Sequence, residues 1–292
     1  MRVTDSMFFA NMKRNIAQRQ SDYAEAQERA VSGKRVDAPS DDPFAYAQAR
    51  TETANLNRAQ GYERTIGMAK PQLEAADNAL SEVDKIMGRV RDIAIQGAND
   101  VLTPADRQTL SQELSALRDQ LVTLGNSQAG DRFIFGGYKD DVPPYDAVGA
   151  YTGDTLAASV EVARGVNLPL GLTGDKVFGA TGADVFTAIT NLQTALGAGI
   201  GANIDDVIPE IDARLETVRT AHSQLGVHLN AADVAEAVST RNQDLATLNR
   251  SNLVEIDAAD AYSDLIRAQT ALNAAIEIAA QLPPQGLVGR AR

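Results

Sequence analysis

Ser32-Gly33-Lys34-Arg35-Val36-Asp37-Ala38-Pro39-Ser40-Asp41-Asp42-Pro43 parts two long stretches of helical pattern, and its reading decides the fold. Gly33 takes a positive φ without steric penalty and so closes the helix before it. Asp42 or Ser40 can cap the helix after it, with Pro43 in the first turn, where a missing N–H costs nothing. On physical grounds the segment is a helix break. Asp41 and Asp42, adjacent at a helix start, complement the helix dipole rather than form a catalytic pair. Lys34 and Arg35 suit the C-terminus of the preceding helix and can also meet an acidic partner.

Upstream of the break, Phe9, Met12, Ile16, Tyr23, Ala26 and Ala30 alternate in threes and fours, with Arg19 in one slot, which predicts a helix ending near Val31. Downstream, Ile66, Leu73, Leu80, Met87 and Ala94 share a heptad repeat, and Ala69, Ala76, Val83 and Val90 form its companion stripe. This is the seam of a coiled coil, although ordinary helical bundles use the same spacing. Pro71 interrupts it and predicts a kink or a restart near Lys70. A turn follows at Asn99 and Asp100. Thr103 then caps a helix with Pro104 in its first turn and a stripe of Leu110, Leu114, Leu117, Leu121 and Leu124, antiparallel to the preceding helix.

From Gly130 to about Asn203 the pattern changes to glycines, prolines and short apolar runs, such as Arg132-Phe133-Ile134-Phe135 and Val160-Glu161-Val162. These read as short strands and turns, followed by a helix from about Ala183 to Leu196 with Val185, Ile189, Leu192 and Leu196 on one face. Helical spacing returns at Ile204, Ile208, Ile211, Leu215, Val218, Leu225 and Leu229, from a cap near Asn203 or Asp205, with Pro209 in the first turns. Val234, Val238, Leu245 and Leu248 continue that stripe. Ala258, Tyr262, Leu265, Leu272, Ile276 and Ala279 form the last one, before Pro283 and Pro284 end the helix and a patternless tail follows.

The expected fold is therefore mainly α. Long antiparallel helices from both chain ends form a coiled-coil or helical-bundle rod, with a small β-containing domain inserted in the middle. Three parts are expected. Residues 1–35 with 255–292 form a terminal coiled-coil domain, 36–130 with 203–254 a helical rod domain, and 131–202 a β-rich outer insert.

Composition narrows the function. The 292 residues are 44% hydrophobic but only 5% aromatic, with no Trp, so the core is aliphatic and Ala-rich, as thin helical packing requires. A formal charge of −12 argues against nucleic acid or an anionic membrane surface as the main partner. Without cysteine, no disulfide, thiolate ligand or thiol nucleophile is available. No apolar run reaches the ~18 residues of a membrane span. Met1 to Ala10 lacks the apolar core of a cleaved secretory signal, so by sequence the protein is cytosolic or leaves by a route that needs no cleaved signal.

Little supports catalysis. His222 sits in a seam slot between Val218 and Leu225, where it packs or pairs, while His228 is expected to face solvent. Their spacing is not the i, i+4 of a helical metal site. Gly197-Ala198-Gly199-Ile200-Gly201 follows a helix and lacks the lysine of a phosphate loop, so it reads as a linker. Asn249-Arg250-Ser251, a glycosylation triplet inside a helical pattern, is assigned no role. No catalytic, cofactor-binding or metal residue is assigned, and no cofactor is expected.

Two motifs carry a resemblance. The run from Gly33 to Pro43 resembles the signature of the bacterial flagellin-like axial proteins. Its Pro39 and Pro43, together with Asp131-Arg132-Phe133-Ile134-Phe135-Gly136-Gly137-Tyr138 and Pro144-Tyr145, resemble the hook-associated (FlgL-type) proteins of the hook–filament junction more than flagellin. The resemblance covers roughly residues 1–138 and 205–282, and the short insert agrees with it. It implies a structural, non-enzymatic adapter of the flagellum, with flagellin as the second reading. A secreted coiled-coil binding module or effector is the reading from another class. The resemblance further implies a homo-oligomeric ring, a neighbouring hook-associated protein on the hook side, flagellin on the filament side, and an export chaperone of a type III pathway. Pro71 and the tail from Pro283 to Arg292 depart from the family pattern.

Overall fold

The break forms as its residues dictate. In this computed structural model, which describes residues 2–99, 101–198 and 202–281, helix α1 (Arg2–Ser32) stops at Gly33. Gly33 has φ 67°, and its N–H donates to the Arg29 carbonyl at 2.9 Å. Helix α2 (Pro43–Gly97) begins behind Asp42, whose carboxylate accepts from the N–H groups of Phe44 and Ala45 at 3.1 and 2.9 Å. Asp42 is thus the cap, and Ser40 is not. Asp41 ties the loop instead, accepting from the N–H groups of Ala38 and Asp37 at 2.9 and 3.0 Å.

The chain divides into two units, Met1–Asn57 with Gln243–Arg292 and Arg58–Asn242. The remaining helices are α3 (Pro104–Gly125), α4 (Gly174–Phe178), α5 (Val185–Ala198), α6 (Ala202–Asp205), α7 (Ile208–Val254) and α8 (Ala258–Gln281). Two antiparallel ribbons complete the fold, β1 (Gln128–Ala129) with β2 (Arg132–Phe133) and β3 (Ser159–Ala163) with β4 (Val166–Pro169). The chain is mainly α, as the periodicity implied.

In the second unit, the heptad residues from Ile66 to Ala94 and their companions from Ala69 to Val90 are all buried. Across from them α7 runs antiparallel. Its inward residues Ile211, Leu215, Val218, Ala221 and Leu225 are buried, and polar side-chain pairs stitch the seam in falling order. Lys70 meets Asp233 (2.7 Å), His222 meets Asp77 (3.0 Å), Arg219 meets Asp84 (2.9 Å) and Arg91 meets Asp212 (2.5 Å). These pairs are half-exposed, so they specify register more than they stabilise. α3 lies antiparallel to α2, with Arg89 paired to Glu113 at 2.6 Å and the buried Arg107 donating to the Gly97 carbonyl at 3.1 Å. Thr103 and Asp106 close a capping box at its start.

Several expectations are corrected. α2 does not restart at Pro71 but runs through it, and Pro71 and Gly67, whose carbonyl loses its helix donor, are both exposed. The helix expected from Asn203 or Asp205 breaks at Asp206 and Val207, so α7 starts at Ile208 with Pro209 second; Asn203's side chain, like Asp100, the glycine run at 199–201 and the tail from 282, lies outside the described residues. Ala221, not His222, fills the seam slot, and His222 pairs beside it. His228 is half-buried, and desolvation lowers its pKa. The strand at Arg132 stops at Phe133, because Ile134 and Phe135 turn into the core.

A polar clamp and an aromatic cluster help to hold the insert, beside the packing of α5 on α3. The Asn126 side chain donates to the Tyr145 carbonyl and accepts from its N–H, both at 2.9 Å. Tyr145 then packs against Phe178 and Phe186 at centroid distances of 5.1 and 5.3 Å, with Phe135 5.8 Å from Phe178. Gly125 is needed here, since a Cβ on it would lie 2.7 Å from the Tyr145 ring.

Candidate assembly interface

Both chain breaks of the first unit are knitted together. The N–H groups of Arg35 and Val36 donate to the Val254 carbonyl at 2.7 and 3.2 Å, and the Ile256 N–H donates to the Gly33 carbonyl at 3.0 Å. The Arg35 guanidinium donates to the Leu253 carbonyl at 2.8 Å and lies 3.6 Å from Asp42. Lys34 pairs with Asp37 at 2.7 Å. The basic pair thus serves the C-terminus of α7 and its own loop, rather than the end of α1 that sequence spacing suggested. The carbonyls at the end of α7 are four orphan acceptors by construction, and a guanidinium with several donors is suited to them.

From this clasp α8 packs back along α1. The buried Ala261 and the half-buried Leu265, Ala268, Leu272, Ala275 and Ala279 face Met12, Ile16, Tyr23, Ala26 and Ala30. The seam of α8 is thus shifted from the expected one. Leu265, Leu272 and Ala279 keep their places, while Ala258, Tyr262 and Ile276 turn outward. Phe9 is also exposed, beside Met7 and Phe8. Alanines alternate in this seam with Leu265, Leu272, Met12, Ile16 and Tyr23, while Phe8, Phe9, Tyr262 and Ile266 are left exposed.

α7 repeats the same inversion. Val234 (57% exposed), Val238, Leu245 and Leu248 point outward, whereas Ala232, Ser239 and Ala246 are buried. Ser239 is inward because its hydroxyl donates to the Ala59 carbonyl at 2.7 Å. Sequence reasoning ranked valine and leucine above alanine and serine as core residues. It missed that in this part of α7 the alanine and serine stripe is the buried one and the valine–leucine stripe the exposed one. Outward aliphatic stripes at heptad spacing are the feature a helical partner covers, and soluble proteins rarely leave them bare.

Titratable groups do not converge. Among the described residues no three His, Asp or Glu side chains are placed to share a metal ion, and no helix is long and apolar enough to cross a membrane. Asp41 has a lowered pKa because the N–H groups of Ala38 and Asp37 favour its charged form. Tyr151 is pushed up to about 12 and Tyr145 further, both chiefly by burial. These shifts belong to a loop and a core.

Residues 3–140 match the family described as the bacterial flagellin N-terminal helical region. Flagellar hook-associated protein 3 of Salmonella typhimurium is 28% identical over 301 aligned residues, covering 94% of this chain and 94% of its own length. A flagellin of Clostridium tyrobutyricum is 25% identical, covering 71% of this chain and 53% of its own length. Among solved structures, a flagellar hook-associated protein from Vibrio parahaemolyticus superposes with a TM-score of 0.67 at 24% identity, over 74% of this chain and all of that one. A flagellin of Listeria monocytogenes aligns end to end as well, over 96% of this chain and 95% of its own length, at a lower identity of 21%.

Proposed function

We propose that this chain, similar along its length to the hook-associated proteins of the flagellin-like family, is a structural adapter joining the flagellar hook to the filament. One observation carries the reading: at near end-to-end coverage of both chains, hook-associated protein 3 of Salmonella typhimurium is 28% identical, whereas the flagellin of Listeria monocytogenes is 21% identical. The exposed stripes of α1, α7 and α8 support a role in assembly, since burying each Å² of apolar surface contributes roughly 25 cal/mol.

The finer reading has four parts. Copies of the chain form a ring, seated on another hook-associated protein and followed by flagellin. The chain leaves the cell through the flagellar type III pathway, without a cleaved signal and with an export chaperone. Residues 1–35 with 255–292 act as the inner coiled coil, 36–130 with 203–254 as the middle layer, and 131–202 as the outer lobe. No residue acts in catalysis or holds a cofactor or metal, and neither nucleic acid nor membrane is a partner.

Immunogold microscopy with antibodies to residues 130–203 tests the reading on intact cells. Label in one band between hook and filament is expected. Label along the whole filament makes the chain a flagellin, and label away from flagella points to a secreted coiled-coil module.

A further inference from the structure

We draw no further inference here: the strongest candidate, the outward aliphatic surface stripe of α7 from Val234 to Leu248, carries none because nothing in the structure shows what covers it.

Discussion

Arg35 places its guanidinium 2.8 Å from the carbonyl of Leu253, a residue 218 positions later in the chain. One side chain therefore satisfies the end of α7 while its own backbone N–H pairs with the Val254 carbonyl at 2.7 Å. The loop that looked like a local helix break is a long-range clasp. Its glycine and aspartates shape it, and its arginine binds it to the second break of the same unit.

Replacing Arg35 by alanine removes a charge-assisted bond and leaves the Leu253 carbonyl to water, at a cost of roughly 1.5–3 kcal/mol. Amide hydrogen exchange is expected to quicken at Arg35, Val36 and Ile256 and to stay unchanged in the α2–α7 seam. Arg35→Lys keeps the charge but loses the fork, and recovers only part of the protection. Unchanged exchange at these amides in Arg35→Ala would show that the backbone bonds alone hold the clasp.

Tyr145 and Tyr151 should respond oppositely to loss of their hydroxyls. The Tyr151 hydroxyl lies 2.6 Å from the Asp154 carbonyl and 3.0 Å from that of Phe135, so Tyr151→Phe costs about 1 kcal/mol. The Tyr145 hydroxyl is buried with no protein partner among the described residues, and Tyr145→Phe is expected to be neutral or stabilising. Urea denaturation of both variants gives the comparison. A larger loss in Tyr145→Phe than in Tyr151→Phe contradicts it.

Two groups make the fold acid-sensitive in separate windows. His228 has a folded pKa below its unfolded value of 6.5 because burial disfavours the charged ring. Its contribution is complete above that value and is lost as pH falls through the folded pKa. Asp41 is likewise depressed, from 3.8, by the Ala38 and Asp37 N–H groups, so its contribution disappears only at lower pH. Thermal melts between pH 7 and 3 are expected to show His228→Leu flattening the upper window, and Asp41→Asn the lower. A melting profile that neither substitution changes would exclude both assignments.

The sequence was most legible where one apolar face meets one partner. The stripe from Ile66 to Ala94, the leucines of α3 and the face of α5 are all inward, because large aliphatic residues there have a single neighbour surface to choose. Legibility failed in α7 beyond Leu229 and in α8. There alanine and serine face the intramolecular seam, while valine, leucine, tyrosine and isoleucine face out. Size ranks residues for burial in a finished core, but a chain that completes its core in an assembly sorts them differently. The clasp was legible as a break and a cap, but not as a contact, since no local spacing relates Arg35 to Leu253.

Leu272 and Ile276, four residues apart on α8, separate folding from assembly. Leu272 is half-buried toward α1, so Leu272→Asp places a carboxylate in the hairpin seam and is expected to melt the α1–α8 pair, lowering helix content by circular dichroism. Ile276, one turn on and 46% exposed, lies at the edge of that seam, and Ile276→Asp is expected to lower helix content far less than Leu272→Asp. If the outer stripe is covered in the flagellum, Ile276→Asp nevertheless blocks filament growth on cells carrying it, because the charge must be desolvated only on assembly. Normal filaments on those cells would remove the outer face of α8 from the interface and leave α7 as the stripe to test.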